Sequence, residues 1–359
     1  MAPVNHARNQ PRETTSVTEA ATQQTSELAT DQLATTQLVG ELERVSAKFV
    51  DVKNGIGRVI FGQQRVIEET LITLLAGGHV LLIGVPGLGK TRLVESLGTV
   101  LGLDARRVQF TPDLMPADIL GSEVLEQAET GHRSFRFIKG PVFCQLLMAD
   151  EINRASPRTQ SALLQAMQEH RVSVAGHYHE LPKPFHVLAT QNPLEQEGTY
   201  PLPEAQLDRF LMQINIEYPQ LIAEREILTK TTGATDEPPR QVLNGDELGA
   251  AQRLVRHVPV GESVMSAILE LVRAGRPGES PIAEVNEHVA WGPGPRASQA
   301  LMLASRARAL IEGRLAPSVD DVIALAHPIL RHRMALNFAA RAEGVSMAKV
   351  IDMLVKRVG

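Results

Sequence analysis

Length, composition and charge describe an ordinary globular chain. It has 359 residues, of which 43% are hydrophobic and 21% charged, enough apolar material for a substantial core. The formal net charge of −5 gives no general attraction to a polyanion, and an aromatic content of 4% argues against a stacking surface for single-stranded nucleic acid. We therefore expect no nucleic-acid partner. A single cysteine, Cys144, excludes an intramolecular disulfide framework and a multi-cysteine zinc site, and its apolar surroundings predict a buried thiol.

The N-terminal segment differs in composition from the rest of the chain. Its first 36 residues are rich in Thr, Gln, Ala and Glu and contain no aromatic residue. Such a segment buries too little apolar surface to offset the entropy lost on ordering, so we predict a disordered tail over residues 1–37. It shows no signal-peptide pattern, and no apolar run in the chain reaches the length of a membrane span. These features predict a cytoplasmic protein without a membrane span.

Hydrophobic periodicity divides the remaining chain into an α/β part and a helical part. Apolar residues at helical spacing from Leu38 onward predict an amphipathic helix. Five short apolar runs then alternate with helical patterns, which predicts a parallel sheet flanked by helices in a domain spanning residues 38–219. The five predicted strands are Val80–Ile83, Arg107–Phe110, Leu146–Ala149, His186–Thr190 and Leu211–Ile216. Beyond residue 219 the strand signals fade, and residues 220–359 are predicted to form a smaller, all-α domain.

Within this smaller domain, local signals mark helices and loops. Ser263–Ala274 has a helical pattern, and Ser318 followed by Asp321 resembles a capping box that begins another helix. The segments 233–239 and 275–281 are rich in Pro and Gly and are predicted to be loops.

The strongest local signal is the segment Gly84-Val85-Pro86-Gly87-Leu88-Gly89-Lys90-Thr91, which matches G-x-x-x-x-G-K-[ST] in full. It follows a predicted strand and begins a helical pattern, the context that a phosphate-binding loop requires. Glycines let backbone N–H groups converge on phosphate oxygens at a helix N-terminus. Lys90 would contact the β- and γ-phosphates of ATP, and the Thr91 hydroxyl would bind Mg²⁺.

Two carboxylates, Asp150 and Glu151, directly follow the predicted strand Leu146–Ala149. Beside a phosphate-binding loop, Asp150 would hold Mg²⁺ through water, and Glu151 would orient and deprotonate the water that attacks ATP. Acidic residues end many strands without any such role, so this interpretation depends on the upstream loop.

Three further polar residues are candidates whose role the spacing alone leaves open. Asn192 follows the predicted strand His186–Thr190, where it either contacts the attacking water or the γ-phosphate, or only forms a turn before a proline. Arg209 precedes the last predicted strand, and Arg296 begins a helix of the second domain. A surface arginine usually has no special role, whereas one delivered to a γ-phosphate raises the rate by about 10³–10⁵-fold.

In this order, the motifs resemble those of the MoxR family of AAA+ ATPases, in the helix-2-insert branch. The resemblance covers about residues 38–335, and its segment from Gly198 to Phe210 is highly specific. The matching stretches are Phe61-Gly62-Gln63, Gly84–Thr91, Gln109–Leu114, Gly140–Phe143, Asp150–Ala155, Gln160–Leu164, Ala189–Pro193 and Gly198–Phe210.

The resemblance implies an AAA+ P-loop core followed by an α-helical lid, and it implies roles that the residues alone leave open. Asn192 matches the sensor-1 position. Arg209 matches the arginine finger presented to the ATP of a neighbouring subunit, and Arg296 matches the sensor-2 arginine that carries lid movement to the nucleotide. The implied cofactors are ATP and Mg²⁺.

The same resemblance implies two insertions and an assembly. Segments 119–140 and about 170–184 match the insertions of this branch and look like hairpins, with Gly131 and Gly176 in their turns. An arginine finger acting in trans implies a homo-oligomeric ring, and hexamers are usual for this class. The family implies chaperone-like remodelling, maturation or cofactor and metal insertion for a protein client, commonly with a partner that carries a von Willebrand factor A domain.

Other functions share parts of this pattern. A metal-chelatase ATPase subunit or an enzyme activator would look similar. A nucleic-acid motor or AAA+ transcriptional regulator is disfavoured by the acidic balance, the few aromatics and the absence of a clear helix-turn-helix. A nucleotide-gated scaffold without turnover is disfavoured by the presence of Glu151, Asn192 and Arg209. His177 and His179 lack a third ligand nearby in sequence, so we assign no transition metal.

Overall fold

The computed structural model describes the backbone of residues 15–127, 133–195, 198–232 and 238–359, with side chains from Thr36 onward. Two compact units are distinguished, the first ending at Arg44 and the second spanning Val45–Gly359. The helices and strands are α1 (Thr15–Gly57), α2 (Gln64–Leu75), β1 (Val80–Ile83), α3 (Lys90–Val100), β2 (Ala105–Gln109), α4 (Pro116–Leu120), β3 (Gly121–Gln127), β4 (Arg133–Lys139), β5 (Leu146–Asp150), α5 (Pro157–Glu169), β6 (Arg171–Val174), β7 (His177–Glu180), β8 (His186–Gln191), α6 (Glu204–Leu207), β9 (Met212–Asn215), α7 (Leu221–Thr231), α8 (Gly245–Val255), α9 (Glu262–Ala274), α10 (Ala283–His288), β10 (Val289–Trp291), α11 (Pro295–Ile311), α12 (Val319–Leu330), β11 (Ala335–Leu336), α13 (Phe338–Ala342) and α14 (Met347–Val358).

Helix α1 begins earlier than the sequence pattern indicated. The predicted disordered tail covers residues 1–37, whereas α1 is helical from Thr15. Residues 15–37 contain neither Gly nor Pro, and a helix satisfies its backbone hydrogen bonds locally, so the lack of apolar residues does not prevent it. Residues 1–14 of the predicted tail lie outside the described residues. The predicted domain boundaries at 37/38 and 219/220 stay predictions.

A parallel sheet forms the centre of the second unit. Within the described ranges, this sheet has five strands in the order β2-β5-β8-β1-β9. Every residue of β5 is buried, as expected for a strand covered on both faces. The predicted parallel sheet flanked by helices is confirmed, with strand ends within two residues of the observed ones. We call the sheet edge where these strands end the carboxyl edge, and the edge where they begin the amino edge.

Helix α5 shows how local sequence sets an element beside this sheet. The Ser156 side-chain oxygen accepts a hydrogen bond from the Thr159 N–H at 3.3 Å, and Pro157 occupies the first turn, where its missing N–H has no cost. Leu163 and Met167 are buried on its inner face. The helix ends at His170, whose φ of +53° turns the chain into β6.

Two antiparallel hairpins project from the sheet-bearing part of the chain. Strands β3 and β4 pair from Gly121 opposite Lys139 to Gln127 opposite Arg133, and β6 pairs with β7. Gly176 lies in the β6–β7 turn with a φ of +85°, as predicted. Gly131, predicted in the other turn, lies outside the described residues. Both predicted hairpins are confirmed.

The C-terminal part of the chain is mainly helical. Asp321 accepts a hydrogen bond from the Ser318 N–H at 2.7 Å at the start of α12, in agreement with the predicted capping box. The described residues of this part also include a two-stranded antiparallel ribbon, β10–β11, which the helical prediction lacked. Such short strands carry too few residues for a recognisable alternation. No described helix is long and apolar enough to cross a membrane.

Two buried histidines connect the strands at the amino edge. His79, before β1, accepts a hydrogen bond from the Val187 N–H through Nδ1 at 3.0 Å. His186, at the start of β8, lies 2.8 Å from the Gly78 carbonyl through Nδ1 and 2.9 Å from the Gln252 side-chain nitrogen through Nε2. Burial lowers the pKa of His79 to about 3 and that of His186 to about 4. Both rings are therefore neutral at neutral pH.

These neutral rings predict a loss of stability in acid. The unfolded chain binds a proton at each histidine as the pH falls below about 6.5, whereas the folded His186 stays neutral down to about pH 4. The stabilising contribution is complete above pH 6.5 and is lost as the pH falls towards 4, by about 1.4 kcal/mol for each pH unit. We expect His186→Asn to reduce the slope of unfolding free energy against pH by about this amount in urea unfolding between about pH 6 and 5. The exposed His257→Asn is the matched control, and an unchanged slope in His186→Asn would contradict the assignment.

Candidate active site

The loop between β1 and α3 has a backbone shape that suits an anion. Gly87 and Gly89 have φ values of +83° and +76°, a region that residues with a side chain rarely adopt. Lys90 begins α3 directly after Gly89, so the N–H groups of the first helical turn point towards the loop. A Cβ on Gly84 would lie 3.0 Å from Ile216, which leaves little space for a larger residue.

Lys90 lies inside this loop with its charged end held in place. Its Nζ donates a hydrogen bond to the Gly84 carbonyl at 2.5 Å. Burial lowers the pKa of the ammonium group, and the carboxylates of Asp150 and Glu151 oppose that shift. Thr91 follows in the first turn of α3 and is half-buried. The structure therefore brings Lys90, Thr91 and the acidic pair to the same edge of the sheet.

The acidic pair at the end of β5 is ordered by hydrogen bonds from both neighbouring strands. Thr190 on β8 donates its hydroxyl to Asp150 Oδ1 at 2.5 Å and accepts from the Glu151 N–H at 2.9 Å. Arg107 on β2 donates to Asp150 Oδ2 at 2.6 Å. Glu151 has a φ of +55°, an uncommon conformation for a residue with a side chain. Backbone strain of this kind is often found at functional sites.

Asn192 lies at the end of β8, two residues after Thr190, and is buried. Its side-chain oxygen accepts a hydrogen bond from the Leu194 N–H at 3.1 Å, which is the turn interaction that the sequence left as one alternative. Its location at the carboxyl edge also agrees with the other alternative, in which the amide contacts the γ-phosphate or the attacking water. The two roles are compatible because the hydrogen bond of the turn uses only the side-chain oxygen of Asn192.

Arg209 and Arg296 lie at the amino edge of the sheet, opposite the carboxyl edge where Lys90, the acidic pair and Asn192 lie. Arg209 precedes β9 at the amino edge, where the Leu211 N–H donates to the His79 carbonyl at 2.9 Å. The phosphate loop begins after Ile83, at the other end of β1, and the four residues of β1 span about 13 Å. Both arginines line one cavity of about 240 Å³. The structure brings the two arginines together and does not bring either to Lys90.

An ion-pair network holds Arg296, one member of this arginine pair. Asp208 lies 3.6 Å from Arg296 and accepts a hydrogen bond from Arg333 at 2.7 Å. Arg333, only 3% exposed, also donates to the carbonyl oxygens of Phe210 and Leu211. A buried guanidinium requires such partners because its desolvation is costly. The network joins the end of α12 to the segment before β9, and it was not anticipated from the sequence.

Two polar residues on β2 that contact the acidic pair were not recognisable from the sequence. Arg107 pairs with Asp150, and the Gln109 side-chain amide donates to Glu151 Oε2 at 2.7 Å. Alternate polar residues on β2 were the only available signal. That signal has a meaning only once β2 is known to pair with β5, because strand neighbours are not encoded in local spacing.

A cavity beside the phosphate loop has the size for the rest of a nucleotide. Its volume is about 810 Å³, within the range of small-molecule sites. Arg92, two residues beyond Lys90, lines it, and the Gln63 side chain donates to the Leu88 carbonyl of the loop at 2.9 Å. Pro86 lies exposed at the tip of the loop. The remaining lining residues are Lys53, Asn54, Gly57, Arg58, Val59, Phe61, Gln64, Glu68, Glu226 and Lys230.

The oxygen donors at the carboxyl edge suit a small divalent cation. A Thr91 hydroxyl and an Asp150 carboxylate are the hard ligands that Mg²⁺ takes when it also binds phosphates. The positive-φ glycines and the start of α3 suit the phosphates themselves. The residues present therefore fit a nucleotide with its metal ion.

Comparisons with known proteins agree with this arrangement. Residues 79–212 match the ATPase family associated with various cellular activities (AAA), and residues 283–353 match the AAA lid domain. The chain is 41% identical to "Chaperone MoxR1" of Mycobacterium tuberculosis, covering 89% of this chain and 83% of that protein. It is 34% identical to "Protein MoxR" of Paracoccus denitrificans, covering 81% and 89%.

A solved structure shows a similar fold. A crystal structure of a Cytophaga hutchinsonii protein superposes with a TM-score of 0.84 at 37% identity, covering 91% of this chain and 98% of that one. Likeness over 91% of this chain extends across both the α/β part and the helical C-terminal part. On this combined basis, the chain belongs to the MoxR family of AAA+ proteins and is an ATPase.

Proposed function

We propose that copies of this chain assemble head to tail into a ring, a hexamer, in which each copy supplies Arg209 and Arg296 to the ATP held by the next copy. The observation that supports this most is the location of both arginines at the amino edge, while Lys90 lies at the carboxyl edge. A rigid sheet separates the two groups, so one chain does not bring them to the same phosphate. A second copy does.

In the proposed reaction, each residue at the carboxyl edge has one role. Lys90 contacts the β- and γ-phosphates, and the loop N–H groups hold the phosphate oxygens. Glu151 orients the attacking water and accepts its proton, while Asn192 hydrogen-bonds that water or the γ-phosphate. Thr91 and Asp150 would hold Mg²⁺, which when bound neutralises charge on the phosphates.

The proposed arginine pair completes the site from the neighbouring copy. Arg209 would contact the γ-phosphate as charge develops on it, and Arg296 would respond to movement of the helical lid. Burial and the neighbouring Arg296 lower the pKa of Arg209, and a phosphate between the two cations would relieve their repulsion. Head-to-tail contacts of this type close into rings when the rotation between copies permits it.

We further propose that turnover remodels a protein client in a chaperone-like manner, including maturation or the insertion of a cofactor or metal. A relative is named a chaperone. The two hairpins also carry exposed apolar side chains, Leu125 and Phe135 on β3–β4 and Tyr178 on β6–β7, which offer a surface for a client. A partner with a von Willebrand factor A domain is part of the proposal through family resemblance, and the cytoplasmic location stays a prediction.

The dependence of turnover on assembly tests the proposed function. We expect ATPase activity per chain to rise steeply with protein concentration and to level off once sedimentation velocity shows complete rings, because each site needs two copies. Removal of Mg²⁺ with EDTA should abolish hydrolysis, and Lys90→Ala should serve as the inactive control. Constant activity per chain at dilutions where only single copies sediment would contradict the shared site.

A further inference from the structure

Helix α7 exposes an apolar surface that the described residues leave uncovered. Leu221, Ile222 and Leu228 are 75%, 82% and 65% exposed, and we call these three residues the α7 ridge. Only Ala223 of this helix is buried. Three large apolar side chains exposed together on one short helix mark an interaction site more often than a solvated surface.

A groove of matching character lies between α9 and α11. It has a volume of about 570 Å³, and Met265 and Leu269 on its α9 side are 39% and 50% exposed. We call it the α9–α11 groove. Its lining residues are Arg256, Met265, Ile268, Leu269, Ser298, Gln299, Met302 and Leu303. An amphipathic helix that inserts apolar side chains is the usual occupant of such a groove.

The α7 ridge and the α9–α11 groove lie beside the two halves of the proposed shared site. Glu226 and Lys230 of α7 line the cavity next to the phosphate loop. Gln299 and Leu303 of the groove also line the cavity that contains Arg209 and Arg296. Any contact that delivers the arginines of one copy to the nucleotide of another therefore brings these two apolar surfaces towards each other.

Charge favours the same pairing. Glu224 is exposed and lies three residues after Leu221 and four before Leu228, which puts it on the same helix face as both. At one end of the groove, Arg306 donates to the carbonyl of Arg256, and burial together with the Arg256 charge lowers the pKa of Arg306. Two neighbouring cations beside an apolar groove suit an acidic residue on the helix that fills it.

We propose that the α7 ridge of one copy docks into the α9–α11 groove of the next copy, and that this contact brings Arg209 and Arg296 of the groove copy to the nucleotide of the ridge copy. This inference rests on the proposed ring. The two surfaces differ, so the contact is heterologous, and each copy offers one ridge and one groove. Leu221 and Leu228 are seven residues apart on this 11-residue helix, so they share the face that enters the groove, and Ile222 lies on the flank of that face.

A pair of charge substitutions tests the docking and its direction. Leu228→Glu removes the ridge but leaves the groove, and Leu269→Glu removes the groove but leaves the ridge. Each variant alone should sediment as a single copy with ATP and Mg²⁺. An equal mixture should form a two-copy particle and no larger ring, because only one ridge and one groove remain competent. The mixture should also recover ATP hydrolysis that both separate variants lack.

Controls keep this test independent of folding. Both replaced side chains are at least half exposed, so the thermal unfolding of each variant should match the wild type. Leu315→Glu, at 42% exposure beyond the far end of α11, should assemble normally. If the wild type forms rings while both variants also form them, or if the mixture stays as single copies, the docking proposal is overturned and the ring survives. A wild type that never assembles overturns both.

Cysteine cross-linking gives a direct measurement of the same contact. Leu228→Cys mixed with Leu269→Cys should form a disulfide-linked dimer on mild oxidation in the presence of ATP, and neither variant should do so alone. The native Cys144 is buried, and burial raises its pKa to about 12, so it does not compete. Cross-linking of Leu228→Cys to itself would show two ridges in contact and would overturn the proposal.

Discussion

Replacing Arg209 by alanine should reduce ATP hydrolysis by about 10³–10⁵-fold and leave nucleotide binding unchanged. The arginine would act only on the neighbouring copy's γ-phosphate, where it balances the charge that develops as the terminal bond breaks. The loop that binds ATP lies at the other edge of the sheet and is untouched. Steady-state ATPase assays and fluorescent-nucleotide titration measure the two effects separately. Arg357→Ala, a surface arginine on α14, is the matched control and should keep normal turnover.

Mixing experiments separate action in trans from a local defect. The Arg209→Ala copy keeps its own Lys90, and a Lys90→Ala copy keeps its own Arg209, so an interface between them contains one complete site. An equal mixture should recover roughly a quarter of wild-type activity. At each interface, the copy that holds the nucleotide has Lys90 in half of the cases, and the copy that supplies the arginine has Arg209 in half of the cases. No recovery in rings that are shown to contain both variants would mean that Arg209 serves its own chain.

Glu151→Gln should reduce hydrolysis by about 10²–10⁴-fold and preserve ATP binding. The substitution keeps the shape of the side chain and an oxygen that accepts from Gln109, but it removes the carboxylate that takes the proton of the attacking water. ATP should therefore remain bound and uncleaved in assembled rings. Single-turnover assays with labelled ATP measure this directly.

The exposed Glu343→Gln is the control for this substitution and should retain normal turnover. Near-normal hydrolysis in Glu151→Gln would assign the base to another group. Loss of ATP binding would assign Glu151 a structural role at the end of β5, where its backbone N–H already bonds Thr190.

The phosphate loop and the acidic pair were recognisable in sequence because their chemistry depends on neighbours along the chain. A run from Gly84 to Thr91 must curl around phosphates within one loop, so residue types and spacing are set together. Asp150 and Glu151 follow a buried strand in the same local way. The strands themselves were predictable because burial on both faces demands short, continuous apolar runs.

Residues that meet across the sheet were not recognisable. Arg107 bonds Asp150 because β2 lies next to β5, although 43 residues separate the two in sequence. The arrangement of Asp208 between Arg296 and Arg333 depends in the same way on the packing of α11 and α12 against the segment before β9. Each of these side chains is an ordinary charged residue when considered alone.

The sequence by itself determined the fold class, the phosphate loop and the catalytic candidates at the ends of β5 and β8, because hydrophobic periodicity and short motifs act over a few residues. Only the tertiary structure decided that Arg209 and Arg296 lie together, at the edge of the sheet away from Lys90. For Arg209 the separation follows from the direction of parallel strands, since residues before a strand and residues after it lie at opposite edges, whereas the place of Arg296 depends on how α11 packs against the segment before β9. This separation is the physical reason for expecting the active site to be shared between two copies.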